Sequence, residues 1–181
     1  MTYPLYATIR GPQPQNGFGA TLVSIQMPPA HPFDDDKLKE ECGIFGVVGV
    51  TDAANFIALG LHALQHRGQE AGGIVTHDPE TGFNQARRMG YVRDNFTSAD
   101  IMKTLPGGIG IGHVRYATCG SDERSYAQPF NRYHGCKWKW FTFGYNGQLA
   151  NYAELKDELL KMRDYHLTRD TDTEVIMHFL S

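Results

Sequence analysis

Cys42 lies at an abrupt change in the sequence, where the charged run 39–41 gives way to the apolar stretch GIFGVVGV. A cysteine attacks as its thiolate, so it needs a base or a positive charge close by. No histidine lies near it in the sequence, but its own α-amino group becomes available if the bond between Glu41 and Cys42 is cut. A free α-amine has a pKa of about 7.7–8.0, which suits a base at neutral pH. Taken alone, a lone cysteine at a strand start is more often a packed residue than a nucleophile.

Four other residues, at three places in the sequence, carry groups that could bind a polar substrate. Arg115 ends an apolar stretch, where it could hold a carboxylate with two parallel hydrogen bonds or pair with a structural acid. Asn146 and Gly147 follow alternating aromatic residues, a pattern that favours a hairpin turn. The same pair also supplies the two N–H donors that an oxyanion requires. Asp172 begins a predicted helix, where it could cap the helix or hold a substrate ammonium group.

Hydrophobic periodicity predicts the strands that carry these residues. Residues 43–50 are apolar almost throughout, which predicts a strand buried on both faces. The stretches GGIVTHD and FNQARRMGYV predict a hairpin joined at PETG. Further strands are predicted over PGGIGIGHVRYAT and WKWFTFGYNG. Together with the helices described next, this order indicates an α+β fold of packed layers.

Three helices are predicted from capping residues and apolar spacing. Asp52 is a candidate N-cap for a helix that runs to about His66. Asn151 is followed three residues later by Glu154, the spacing of a capping box, which predicts a helix over YAELKDELLKMRD. The same spacing, from Thr171 to Glu174, predicts a helix over TEVIMHFLS.

Residues 1–41 differ in composition from the rest of the chain. They are rich in Pro, Gly, Asn and Asp and show no sustained period of a strand or helix. We therefore interpret 1–41 as a flexible leader or propeptide, and 42–181 as the folded domain. A chain of 181 residues with 41% hydrophobic composition is sufficient for one core.

Charge and cysteine content exclude several classes of function. The net charge is −3 and the basic residues are scattered, which argues against nucleic-acid binding. No apolar run approaches the roughly 18 residues of a membrane helix. Cys42, Cys119 and Cys136 form an odd set without CxxC spacing, which indicates a reducing, cytoplasmic setting rather than a disulfide scaffold. A metal site from Cys119, His134 and Cys136 matches no zinc spacing, so no metal site is predicted.

Short strings over residues 40–181 together resemble the class II glutamine amidotransferases, a family of N-terminal-nucleophile hydrolases that release ammonia from glutamine. They follow the order of the family: ECGIFGVVG, LQHRGQEAGGI, GHVRYATCG, FGYNGQLANY and TDTEV. The strings LQHRGQE, GHVRYAT and AQPF are most similar to the amidophosphoribosyltransferase branch, which acts in purine biosynthesis. The resemblance implies a four-layer αββα fold, incomplete here because the family's glutaminase domain continues beyond Ser181.

The resemblance also implies a role for each candidate residue. Cys42 attacks the side-chain amide of glutamine, with its freed amine as the base. The Asn146 side chain and the Gly147 N–H stabilise the oxyanion. Arg115 holds the α-carboxylate of glutamine and Asp172 holds its α-ammonium group, so the site recognises a free amino acid.

Two residues are implied as structural support, and further groups are implied outside this segment. Gly43 leaves room for the attack, and Arg67 supports the surroundings of the nucleophile. The ending Glu40–Cys42 is similar to propeptides that some family members remove. The substrate here is L-glutamine and this segment has no evident cofactor. Phosphoribosyl pyrophosphate, Mg²⁺ and, in some members, an iron–sulfur cluster belong to a missing C-terminal part, and the subunits can form a homo-oligomer.

Several alternatives stay open at this point. The domain could serve another class II enzyme, of the sugar-phosphate transaminase or asparagine synthetase type. An N-terminal cysteine could instead hydrolyse other amides or peptides. A chain that retains its leader would be an inactive regulatory or binding fragment, because its amine stays in a peptide bond.

Overall fold

A computed structural model describes residues 5–10, 41–116, 124–162 and 166–181 of the chain. The strands are β1 (Leu5–Arg10), β2 (Gly43–Val48), β3 (Ala71–Asp78), β4 (Gly82–Met89), β5 (Ile109–Arg115), β6 (Phe130–Arg132) and β7 (Phe141–Asn146). The helices are α1 (Ala53–Ala63), α2 (Val92–Asn95), α3 (Ala99–Lys103), α4 (Tyr152–Lys161) and α5 (Asp172–Phe179). No helix in these described ranges is both long and apolar enough to cross a membrane.

The strands form two antiparallel sheets that pack face to face. One sheet has the order β2-β5-β3-β4 and the other the order β1-β7-β6. The two sheets meet where Ile44 and Ile111 of the first sheet approach Gly144 of the second; a β-carbon at Gly144 would lie 3.4 Å from Ile111 Cδ1 and 3.8 Å from Ile44 Cδ1, in ordinary van der Waals contact. Helix α1 covers the outer face of the first sheet, while α5 packs on β7 and on α4. The predicted α+β, four-layer αββα architecture is therefore confirmed, and further C-terminal elements stay a prediction.

Helix α1 begins where the sequence predicts and ends slightly earlier. The Asp52 carboxylate accepts the N–H of Asn55 at 3.4 Å, which satisfies one free donor of the first turn. Ile57 and Leu61, four residues apart, are fully buried against the first sheet. The α-helix ends at Ala63, and a short 3₁₀ turn then carries the chain to Arg67.

Close packing of α1 on β2 depends on Gly60. A β-carbon at Gly60 would overlap the ring of Phe45, with its Cδ2 atom only 2.6 Å away. We expect Gly60→Val to lower the free energy of unfolding by about 1–3 kcal/mol, since an overpacked core must move a side chain or backbone. Urea unfolding measures this change. The matched control is Gly46→Val, because Gly46 is exposed on β2 and a β-carbon there would meet only the Gly110 carbonyl oxygen, at 3.5 Å. Equal destabilisation by the two variants would contradict this account.

The structure corrects the prediction for the first strand after Cys42. Residues 43–50 were expected to be buried on both faces, but Gly46 is exposed and Val48 is 45% exposed. The reason is that β2 lies at the edge of its sheet. Gly43 and Ile44, at its start, are buried.

The structure also corrects the account of the leader at one place. No element is predicted from the sequence of residues 1–41, yet Leu5–Arg10 form β1 and pair with β7. The alternating pattern LYATIR is compatible with an edge strand, and β7 offers it a free edge because β6 occupies only the other side. The division of the chain at Cys42 stays a prediction.

The two C-terminal helices form as predicted, although only one has the predicted cap. Thr171 accepts the N–H of Glu174 at 3.3 Å at the start of α5. Asn151 precedes α4 but makes no side-chain capping bond. The backbone of Asn151 bonds instead, its carbonyl accepting the N–H of Leu155.

Candidate active site

Cys42 is held at the start of β2 by backbone contacts from two other segments. Its N–H donates to the Arg67 carbonyl at 2.7 Å, and its Sγ accepts the N–H of Tyr116 at 3.3 Å. Its φ of 65° lies in the left-handed region, which is uncommon for a residue with a side chain. Cys42 therefore presents a half-buried thiol from a strained backbone position directly before β2.

The environment of Cys42 keeps its thiol protonated. Burial raises the pKa of the thiol above its ordinary value, and the carboxylates of Glu41 and Glu70 raise it further. The Tyr116 N–H and the positive charge of Arg115 act in the opposite direction but do not outweigh burial. Because little thiolate forms at neutral pH, attack by Cys42 requires a base that removes its proton.

The carbonyl of Cys42 receives two side-chain donors from distant parts of the chain. Asn146, at the end of β7, donates from Nδ2 at 3.3 Å, and Arg67 donates from Nε at 2.8 Å. Asn146 and Cys42 are 104 residues apart in sequence. The fold thus brings the predicted oxyanion residue and the predicted support residue to the nucleophile.

Gly43 lies between α1 and β5, where a side chain would be crowded. A β-carbon at this position would lie 3.1 Å from atoms of both Leu64 and Val114. The family resemblance assigned Gly43 to open access for the attack. The structure adds packing as a second reason for the absence of a side chain.

Arg115 ends β5 next to Cys42. The register of β2 with β5 pairs Gly43 with Val114, so the last residue of β5 lies beside the nucleophile. Arg115 is only 6% exposed, and its guanidinium carbon lies 5.5 Å from the centre of the Tyr126 ring. Its positive charge opposes the rise in the pKa of Cys42 that burial causes.

Asp172 is the first residue of α5 and contacts the loop that follows Gly147. Its carboxylate accepts the N–H of Leu149 at 3.3 Å and the N–H of Thr173 at 2.7 Å. Burial raises the pKa of Asp172 above its ordinary value, and these N–H donors oppose the rise. The pKa of the neighbouring Tyr145 is raised by burial and then by the charge of Asp172.

Gly147 lies against the same tyrosine, and the hairpin interpretation of Asn146-Gly147 is wrong. A β-carbon at Gly147 would lie 2.8 Å from the Tyr145 hydroxyl oxygen. Strand β7 pairs with β1 and β6, and the segment that follows it leads into α4 rather than into a partner strand. The peptide N–H of Gly147 is therefore not committed to a hairpin turn.

Some contacts of Cys42 and of the strand that carries Asn146 were not predicted from the sequence. Tyr116 contacts Cys42 through its backbone, which no side-chain motif can reveal. Gln128, inside the string AQPF, is buried and bonds to the N–H of Tyr145. A polar residue between apolar neighbours is a signal that could have indicated it.

The described residues contain no group of three or more His, Cys, Asp or Glu side chains that could hold a metal ion. His134 and Cys136 lie in the segment before β7, and Cys136 is exposed as a free thiol. Cys119 lies outside the described residues. The predicted roles of the site residues stay predictions, now with a defined geometry.

Comparison with known proteins identifies similar sequences and structures. A family model described as "Glutamine amidotransferase domain" matches residues 98–181. Amidophosphoribosyltransferase of Rhizobium etli is 40% identical over 158 residues, covering 87% of this chain and 31% of that protein. Amidophosphoribosyltransferase 3, chloroplastic, of Arabidopsis thaliana is 41% identical over 148 residues, covering 82% of this chain and 27% of that protein. The chain thus spans less than a third of the length of these relatives.

A solved structure shares the fold as well as part of the sequence. The glutamine phosphoribosylpyrophosphate amidotransferase of B. subtilis, complexed with ADP and GMP, superposes with a TM-score of 0.64 at 32% identity. The match covers 75% of this chain and 28% of that chain.

Proposed function

Because the chain belongs to the glutamine amidotransferase family, as a domain homologous to the glutaminase region of the amidophosphoribosyltransferases, we propose that residues 42–181 hydrolyse L-glutamine to glutamate and ammonia. The observation that carries this proposal is the 3.3 Å contact between Asn146 Nδ2 and the Cys42 carbonyl. It brings an oxyanion donor to the residue that must act as nucleophile.

In this proposal the nucleophile and its base both belong to Cys42: the thiol attacks, and the α-amino group takes its proton. Cleavage of the bond between Glu41 and Cys42 turns the Cys42 amide into an amine, which takes the thiol proton as Sγ attacks the side-chain carbonyl carbon of glutamine. The proton passes to the leaving nitrogen, the C–N bond breaks, and ammonia departs from a thioester on Cys42. Water, activated by the same amine, then hydrolyses the thioester to glutamate and restores the thiol. A thiol is largely protonated at neutral pH, and burial raises the pKa of this one, so its attack depends on the amine to take the proton.

The oxyanion is stabilised from the end of β7. The amide of Asn146 carries two N–H donors, so one can hold the Cys42 carbonyl while the other faces the substrate oxygen. The N–H of Gly147 supplies the second contact to the oxyanion. Fixed donors of this kind contribute about 3–4 kcal/mol of transition-state stabilisation each.

Two charged side chains select glutamine over simple amides. The buried guanidinium of Arg115 holds the α-carboxylate, which a fork of donors matches geometrically. Asp172 holds the α-ammonium group. Its position is supported by its bonds to Leu149 and Thr173.

The proposal extends to partners that act outside the described residues. The released ammonia passes to phosphoribosyl pyrophosphate on a C-terminal domain, and Mg²⁺ and any iron–sulfur cluster belong there as well. The reaction takes place in the cytoplasm, in keeping with the free thiols of Cys42 and Cys136. Assembly into a homo-oligomer is part of the same proposal.

The test is the release of glutamate and ammonia from glutamine by the full-length protein processed at Cys42. Two comparison substrates are glutaramate, which is glutamine without its α-amino group, and a simple amide. A kcat/KM for glutamine far above that for either comparison substrate supports the proposal. Equal turnover of all three would instead support a general N-terminal cysteine amidase.

Glutamine turnover is expected to depend on the ionisation of Asp172. Protonation of the Cys42 amine already gives kcat/KM for glutamine an acid limb, and protonation of Asp172, whose pKa is raised by burial, should add a second limb at a pH above the ordinary aspartate value of about 3.9. A group whose folded-state pKa is raised binds its proton more tightly when folded, so protonation of Asp172 does not itself unfold the domain. A pH profile of kcat/KM measures this limb. In Asp172→Asn this second limb should disappear while the limb of the Cys42 amine stays, with glutamine kcat/KM about 10- to 100-fold lower at neutral pH. An unchanged second limb in that variant would assign it to another group.

A further inference from the structure

The buried side chain of Gln128 bridges the two structural elements that carry the proposed substrate contacts. Gln128 is 9% exposed. Its Oε1 accepts the N–H of Tyr145 in β7 at 2.7 Å, and its Nε2 donates to Thr173 Oγ1 in α5 at 3.2 Å. Both ends of the amide are thus occupied, one by a strand and the other by a helix.

The hydrogen bond from the Tyr145 N–H to Gln128 replaces a backbone hydrogen bond that the β6–β7 ladder does not make. The register of β6 with β7 pairs Phe130 with Phe143, so its extension by two residues would place Gln128 opposite Tyr145. Pro129 has no N–H and cannot continue the ladder. The side-chain amide of Gln128 takes the N–H of Tyr145 in place of a backbone carbonyl.

Each partner of Gln128 adjoins a proposed substrate-binding residue. Tyr145 immediately precedes Asn146, which donates to the Cys42 carbonyl. Thr173 immediately follows Asp172, and its N–H and hydroxyl contact Asp172 Oδ1 at 2.7 and 3.4 Å. The side-chain amide of Gln128 therefore connects the residue next to Asn146, the proposed oxyanion donor, with the residue next to Asp172, the proposed ligand of the ammonium group.

The backbone around Gln128 is fixed from the first sheet. Arg87 Nη1 donates to the Ala127 carbonyl at 3.1 Å, and Gln85 Nε2 donates to the Pro129 carbonyl at 2.7 Å. Gly73 of β3 lies directly against the Gln128 carbonyl, where a β-carbon would overlap it. Because the backbone of Gln128 is held in place, the two hydrogen bonds of its side chain can set the separation between β7 and α5.

From these contacts we infer that Gln128 is a positioning residue that holds Asp172 in register with Asn146, and so determines the preference for substrates that carry an α-ammonium group. This inference rests on the proposed function. Gln128 does not touch the substrate; it acts through Tyr145 and Thr173. Its loss therefore affects substrate selection more than the chemistry that glutamine and glutaramate share.

The first test compares Gln128→Met with the wild-type full-length protein. Methionine keeps the length of the side chain and removes both hydrogen bonds. The ratio of kcat/KM for glutamine to that for glutaramate is expected to fall about tenfold, with a raised KM for glutamine. The matched comparison is Gln85→Met, which removes one of the contacts that hold the segment but leaves both bonds of Gln128, so the ratio should fall clearly less than in Gln128→Met. An unchanged ratio in Gln128→Met, or an equal fall in Gln85→Met, would overturn the inference.

A second measurement does not depend on turnover. Hydrogen–deuterium exchange, resolved to single amides, reports on Tyr145 and on Leu149, whose N–H donates to Asp172 at 3.3 Å. Gln128→Met should accelerate exchange at both amides, although Gln128 has no bond to Leu149. Unchanged exchange at Leu149 would show that the bridge does not hold Asp172, and would overturn the inference. If the wild-type protein fails to hydrolyse glutamine, the proposed function fails, and exchange alone decides whether Gln128 links β7 to α5.

Discussion

Replacement of Cys42 with alanine is expected to reduce glutamine hydrolysis by at least about three orders of magnitude. The reaction proposed here forms a thioester on Cys42, and no other described thiol lies at the site, since Cys136 is exposed in a different segment. Removal of a covalent nucleophile leaves only the contribution of binding and of the oxyanion donors. The measurement is the rate of glutamate release by the full-length processed protein.

Cys136→Ala is the matched control for this prediction. It removes a thiol of the same chemistry from an exposed position, so both activity and stability should stay near the wild-type values. Thermal unfolding of Cys42→Ala separates loss of the nucleophile from loss of the fold. Retention of more than about a tenth of the activity in a folded Cys42→Ala protein would exclude Cys42 as the nucleophile.

Cleavage of the bond between Glu41 and Cys42 is expected to raise glutaminase activity by about 10²- to 10⁴-fold, the usual contribution of a general base. In the uncut chain the nitrogen of Cys42 is an amide whose N–H donates to the Arg67 carbonyl at 2.7 Å. An amide nitrogen cannot accept the thiol proton. The pKa of the thiol is itself raised by burial, so attack in the uncut chain lacks both a thiolate and a base.

The leader also contributes structure, so cutting it and deleting it are different experiments. Strand β1 pairs with β7 along its whole length, and Leu5 lies opposite Asn146. Deletion of residues 1–41 would remove this strand together with the block on the amine. A specific cut leaves β1 available to remain paired.

A protease site placed before Cys42 makes the cut possible in the folded protein. Substitution of residues 38–41 by Ile-Glu-Gly-Arg allows factor Xa to cleave directly before Cys42, and intact mass confirms the product. Activity should appear with cleavage, and the same cut in a Cys42→Ala background should produce none. An uncut chain as active as the cut one would contradict the role of the amine and favour a different base.

Local sequence patterns predicted most elements of the fold. The strings GGIVTHD and FNQARRMGYV, joined at PETG, predicted the hairpin of β3 and β4, and Asp52 with the apolar spacing that follows it predicted α1. These predictions succeeded because a turn, a cap or an amphipathic face depends on residues a few positions apart. The strand in the leader was missed because a short edge strand has little signal of its own and forms only where β7 offers an edge.

The candidate site was predicted from motifs, whereas its contacts were not. Asn146-Gly147 alone favoured a hairpin, and the structure shows a strand end beside Cys42 instead. Turn residues tolerate several backbone environments, so the pair could not distinguish the two outcomes.

What the sequence determined by itself is the order of the elements, the position of Cys42 at a change in composition, and the family to which its motifs belong. Only the tertiary structure decided which distant groups meet: the carbonyl of Cys42 with Asn146, and β7 with α5 through Gln128. The physical reason is the separation in sequence over which each kind of interaction acts. Periodicity and capping act within a few residues, whereas these contacts join positions up to 104 residues apart and form only when two sheets pack face to face.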